Sequence, residues 1–306
     1  MLRNFQYAIT LTHSPKLSIM RNKTLLLFSA MFLFFSCSVQ KLAVRSMSGI
    51  LNNAMVALYE ETDLTLAENA LASDLKLLEG LIKTDPQNEK LLLMASQGFG
   101  AYALGFVEDE NPERAKKLYL RGKSYGLKIL NKNLNFQKAI TGPTEDFKKS
   151  LSLFNRKDVP ALFWTANNWA SWINLNFNNP EALIDLPRVQ LIMERVLELD
   201  ESYFFGGAHL FFATIYAVRP PILGGDIKKA KHHFDSCFNF SQEKFLLPYV
   251  YYAQHYLTRQ FDEELFVKTL KKVINTPDDI LPGQQLPNAI AKKKAGVLLK
   301  NKEMFF

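Results

Sequence analysis

Cysteine is nearly absent from this chain: Cys37 and Cys237 are the only two in 306 residues. A disulfide-stapled fold is therefore excluded, and if Cys37 is modified, Cys237 has no partner for an intramolecular bridge. Stability has to come from an apolar core, which 48% hydrophobic content over this length can supply. Catalytic signatures are missing too. The chain holds no GxSxG elbow, no HExxH helix and no phosphate loop, so no catalytic residue is nominated. No cofactor is expected. Metal spacing is also lacking: His232 and His233 are adjacent and diverge by about 100° on a helix, while His209 and His255 have no ligand at a useful interval. A sustained apolar–polar alternation, the mark of strands, is not found.

Acidic residues are absent from positions 1–36, which carry Arg3, Lys16, Arg21 and Lys23. Much of the formal charge of +7 sits there. From Cys37 onward 33 bases face 30 acids, an ordinary solvated surface that gives no reason to expect nucleic acid. The same N-terminal region has an apolar run, TLLLFSAMFLFFS at 24–36. At thirteen residues it falls short of the roughly 20 that span a bilayer. It reads instead as the apolar region of a secretory signal with Arg21 and Lys23 as its basic flank. Cys37 follows the small Ser36, as in bacterial lipoprotein signals, where the cysteine thiol is acylated and becomes the new N-terminus. Phe34 stands where such signals usually have Leu. Starting at Met20 would give a compact signal, so translation is expected to begin there. Ser38 is not the Asp of the familiar inner-membrane retention signal, which points to the outer membrane.

Helical signals fill the remainder. Apolar residues recur at three and four spacing, as in Leu75, Leu78 and Ile82. Helix starts are marked at Asp85-Pro86, Asn111-Pro112 and Asn179-Pro180. The expected fold is all-α, with about 11–13 helices. Residues 1–36 form the signal, 37–43 a short tether and 44–306 one helical domain, in which 132–158 reads as a long excursion. A shift of 115 residues overlays one part of this domain on another: Asp85 on Asp200, Ala115 on Ala230, Tyr119 on Phe234 and Gly122 on Cys237. Small, aromatic and small residues at spacings of four and three share one helix face, where a neighbouring helix can approach closely. That is the packing logic of tetratricopeptide-type (TPR-like) helix-hairpin repeats forming an α-superhelix.

Long segments carry a closer resemblance: ETDLTLAENALASDLKLLEGLI at 61–82, GAYALGFVEDENPERAKKLYLRG at 100–122, DVPALFWTANNWASWINL at 158–175 and the run from Asp185 to Asp226. Together they resemble the T component of TRAP transporters. The resemblance implies a periplasm-facing, TPR-like lipoprotein that assembles as a homotrimer. It also implies association with a periplasmic solute-binding protein, the P component, and handling of small hydrophobic or organic-acid ligands. The alternative reading is a TPR lipoprotein scaffold for envelope assembly with protein partners only.

Two places suggest a ligand site. All three tryptophans fall between 164 and 172. On a helix Trp164, Asn168, Trp172 and Trp169 lie at about 0°, 40°, 80° and 140°, an amide among indoles suited to orienting a ligand in an apolar groove. Arg219 enters a loop stiffened by Pro220 and Pro221 and turned by Gly224 and Gly225, and its guanidinium suits bidentate capture of a carboxylate. The competing explanation of both places is structural: a buried helix with a hydrogen-bonded Asn, and a loop closed by a helix cap at Asp226.

Overall fold

The computed structural model describes residues 39–306, so the signal sequence, Cys37 and the start at Met20 lie outside the described residues. Two compact units divide between Gly49 and Ile50 and are taken separately. In the first, residues 39–46 are helical. The second, Ile50–Phe306, contains helices only; among the described residues there is no strand.

After α1 (Ser48–Tyr59), α2 (Leu64–Thr84) begins where the Asp63 side chain accepts the amides of Thr65 and Leu66. Its buried face, Ala67, Leu71, Leu75, Leu78 and Ile82, repeats at four and three residues. Asp85-Pro86 does not start the next helix. Asp85 is the C-cap of α2, and Asn88 caps α3 (Glu89–Tyr102), because an extended residue with a side-chain acceptor is needed immediately before the first turn. Asn111-Pro112 and Asn179-Pro180 do open helices, α4 (Pro112–Leu130) and the short α8 (Pro180–Ile184). The excursion at 132–158 contains α5 (Leu134–Ala139) and α6 (Thr144–Leu151), pinned by a Phe136–Phe147–Phe154 cluster. Next come α7 (Val159–Leu175), α9 (Leu186–Asp200) and α10 (Tyr203–Val218). The remainder are α11 (Ile227–Phe240), α12 (Leu247–Tyr251), α13 (Thr258–Gln260), α14 (Glu263–Asn275) and α15 (Gln285–Lys300).

The helix-face positions of the self-match are packed inside. Ala115, Tyr119, Ala230, Phe234 and Cys237 are all buried. Gly122 lets α4 press on α7, and the Cys237 thiol donates to the Gly206 carbonyl at 3.3 Å, clamping α11 to α10. Helix α15 then returns to the beginning: Ile290 fills the space beside Gly105, and Lys294 pairs with Asp109 at 2.8 Å. The returning helix closes the row of hairpins, and the interior space it encloses becomes a cavity.

Three local irregularities shape that space. Helix α3 continues into a π-turn at Ala103–Val107, and α12 into another at Tyr252–Leu257. Such turns insert a residue and re-aim the side chains around them. At the start of α10, Phe204, Phe205 and Gly206 are all left-handed, with φ of 48°, 56° and 76°. For the two phenylalanines this costs roughly 1–2 kcal/mol each. Their rings recover part of it, Phe204 meeting Trp164 edge-on at 4.8 Å and Phe205 stacking on Phe245 at 4.6 Å.

Candidate functional site

A cavity of about 250 Å³ lies among α1, α3, α7, α10, α12 and α15. Its lining along α10 runs from Phe204 to Arg219. From Gly207 onward that is twelve residues of helix, about 18 Å at 1.5 Å per residue, so the space is elongated. One end is aromatic. Phe163, Trp164, Phe204, Phe205 and Phe245 gather there, and the Trp164 indole donates to the Tyr203 hydroxyl at 3.2 Å. Val218, Arg219 and Phe177 line the far ends of α10 and of the chain leaving α7. Phe177 is 55% exposed, which makes this end the mouth, and Ile222 and Leu223 of the adjoining loop are still more exposed.

Arg219 is the one lysine or arginine in the lining, and among the described residues its guanidinium has no carboxylate partner. Burial lowers its pKa, with Tyr216 opposing, but a guanidinium stays charged. The loop beneath it is rigid. The Gly225 amide donates to the Pro220 carbonyl at 3.0 Å, and a Cβ on Gly225 would collide with the Arg219 carbonyl.

The wall between mouth and aromatic end is partly polar. Asn167, Ser171 and Asn174 form a stripe on α7 at spacings of four and three. Thr214 of α10 and, from the α12 segment, Tyr251 and His255 line the same cavity. The Tyr119 hydroxyl donates to Glu108 and is hydrogen-bonded to Ser171. Burial raises the Glu108 pKa against the pull of Lys294, and burial pushes His255 down to about 4, so its imidazole is neutral.

Of the residues nominated from sequence, Trp164 and Arg219 line this cavity and stand toward opposite ends of it; Asn168, Trp169 and Trp172 do not line it. Asn168 is 0% exposed, and its amide donates to the Ser96 carbonyl at 2.9 Å and to the Trp164 carbonyl at 2.8 Å. It wedges α7 against Gly100 and Gly122. Trp169 donates to Asp185 at 3.1 Å, and the Lys123 ammonium sits 3.5 Å from its ring centroid and 6.0 Å from that of Trp172. Burial holds that ammonium down to about 8. The tryptophans thus diverge, since rotations of 80° and 140° carry Trp172 and Trp169 past the cavity face.

Sequence reasoning missed Asn167, Ser171 and Asn174, although three polar residues at helical spacing inside an apolar helix were a usable signal. It also missed a pair formed by fold alone. His209 and His233 meet with their Nδ1 atoms 2.8 Å apart, and burial depresses both pKa values, that of His233 to about 4. Among the described residues no three His, Cys, Asp or Glu side chains converge as a metal site.

These features define a class: an all-helical protein that surrounds an elongated, mostly apolar chamber with one cation at its mouth. The profile of the TRAP transporter T-component family matches residues 60–306, and the chain belongs to that family, a transporter accessory component. It is also similar to an uncharacterized protein of Treponema pallidum (strain Nichols), 24% identical over 309 residues, covering 91% of this chain and 96% of the relative.

Proposed function

We propose that this protein is a lipid-anchored, periplasm-facing binding component of a TRAP-type uptake system. Its chamber takes amphipathic monocarboxylates, with the carboxylate on Arg219 and the apolar body among the aromatic side chains. The observation that carries this reading is the Arg219 guanidinium, without a carboxylate partner among the described residues, on an otherwise cation-free cavity lining. A charge left without a protein partner at a half-enclosed site is a receptor for an anion, and Arg matches a carboxylate in bidentate fashion. Binding rather than catalysis fits a chamber whose polar groups are spread along one wall.

Phe177, Ile222 and Leu223 at the mouth supply the exposed apolar contacts that a docked solute-binding protein needs for ligand hand-over. Cys37 is the acylation site that tethers the domain to the membrane, the outer membrane by the identity of Ser38, and the assembly is a homotrimer by family resemblance. Native mass spectrometry of the full-length protein, extracted gently from envelopes, tests these points together. The expected species is a lipidated trimer that takes up dodecanoate, with binding at least tenfold weaker in Arg219→Ala and lipid labelling lost in Cys37→Ala. Dodecanoate binding that ignores Arg219→Ala refutes the carboxylate site, and palmitate labelling that survives Cys37→Ala refutes the anchor.

A further inference from the structure

The chamber is not simply greasy. Its lining includes polar side chains that have no hydrogen-bond partner among the described residues. Tyr251 and His255 touch each other, ring centroids 5.6 Å apart, and among the described residues neither side chain has a hydrogen-bond partner. Both are enclosed by protein, and the surface they retain faces the cavity. Asn167 also lines the chamber, and among the described residues its amide has no partner. Leaving such groups dry and unpaired costs about 1–3 kcal/mol apiece, so a ligand that pairs them recovers that cost and an alkyl chain does not.

The charges near this cluster restrict what can pair with it. Glu108 lines the same wall and acts on Tyr251. Lys294, which acts on Glu108, is already held by Asp109 at 2.8 Å and by Glu108 at 3.7 Å. Neutral His255 adds no positive charge at pH 7. A carboxylate placed here would face Glu108 with no lysine or arginine in the lining but Arg219 at the mouth, whereas a hydroxyl or ketone oxygen would meet donors and acceptors alone.

Resting on the monocarboxylate reading of the chamber, we propose that Tyr251, His255 and Asn167 form a second, uncharged subsite for an oxygen atom on the ligand's apolar body. The preferred ligands are oxygenated monocarboxylates, meaning hydroxy or keto acids with a long apolar body. Dicarboxylates of the same length are excluded. Arg219 reads the anionic head and the inner cluster reads the neutral oxygen, which fixes the ligand's depth and direction in the chamber.

Isothermal titration of the full-length protein at pH 7.5 tests this with dodecanoate, with hydroxydodecanoates carrying the hydroxyl at a mid-chain or terminal carbon, and with dodecanedioate. At least one hydroxy acid should bind about tenfold more tightly than dodecanoate, and dodecanedioate at least tenfold less tightly. Tyr251→Phe and His255→Leu should abolish the hydroxyl preference while dodecanoate binds at least as tightly as to the parent, which shows that the variants are folded. Dodecanoate binding that depends on Arg219 without any hydroxyl preference overturns this subsite and leaves the monocarboxylate reading standing. Equal binding of dodecanedioate and dodecanoate also overturns it. Failure of every acid to bind overturns both.

Discussion

Replacing Gly122 with Ala is the sharpest test of how this fold is held together. A Cβ built there lies 2.6 Å from Oδ1, 2.7 Å from Cγ and 2.8 Å from Nδ2 of Asn168. Ordinary contacts begin near 3.4 Å, so the amide would have to yield by well over half an ångström. It is poorly placed to do so. Its nitrogen is committed to Ser96 and Trp164, and Gly100 occupies the other side of Oδ1 with a Cβ position also at 2.6 Å. Overpacking of this kind costs about 1–3 kcal/mol, and the better helix propensity of Ala returns up to about 1 kcal/mol. A net loss of about 1–2 kcal/mol should lower Tm by about 2–8 °C in a domain of this size. Gly80, with nothing within 4 Å of its Cβ position, is the control, and Gly80→Ala should raise Tm slightly. The decisive comparison repeats Gly122→Ala on an Asn168→Ala background. Removing the amide opens the space, so the penalty should vanish, a coupling of about 2 kcal/mol by denaturant titration. An equal penalty on both backgrounds, or Gly122→Ala more stable than the parent, refutes the wedge.

Two further outcomes separate structural from ligand-facing groups. Trp169→Phe removes the bond to Asp185 and weakens the Lys123 contact, so it should cost about 1–2 kcal/mol by denaturant titration and leave dodecanoate affinity unchanged; a binding defect matching the stability loss would place Trp169 at the ligand. Acid should also destabilise the fold. His233 is neutral when folded, with its pKa at about 4, whereas the unfolded chain takes up a proton below about 6.5. Stability is therefore retained above that value, declines as pH falls through this window and flattens below it. Because the ring is only partly buried, the full linkage value is discounted to about 1–2 kcal/mol. His233→Phe should flatten this limb of a Tm–pH profile, and an unchanged slope argues against the assignment.

Much of the scaffold was written in local pattern. The three-and-four spacing of Leu75, Leu78 and Ile82, the caps ahead of Pro112 and Pro180, and the matched Ala115/Ala230 pair are short-range signals, each interpretable from a few residues. The site was less accessible because it depends on rotations and closures that short windows do not contain. Helical angles place Trp164, Asn168, Trp169 and Trp172 around one axis but cannot tell which arc faces a neighbour, so wedge and lining were merged. Arg219 was legible because a cation entering a proline-stiffened loop is unusual wherever it points. Tyr251, His255 and the His209–His233 contact carried no signal, since elements brought together by the return of α15 and the antiparallel pairing of α10 with α11 determine them. The left-handed turn at Phe204–Gly206 was hidden for the same reason: nothing local favours φ above zero at two phenylalanines, and only the aromatic cluster around them holds it.

The two π-turns carry an implication for the history of the chain. Each accommodates one residue more than a regular helix would, and each sits beside a polar group of the chamber wall, Glu108 in one case and His255 in the other. Deleting a single codon inside either turn would restore an uninterrupted helix. It would also rotate everything downstream by about 100° and swing that polar group off the wall. A lineage that had only to keep a stable bundle would be free to lose both insertions. Their retention or loss among descendants is therefore a readable mark of whether the chamber's chemistry, as distinct from its fold, is still under selection.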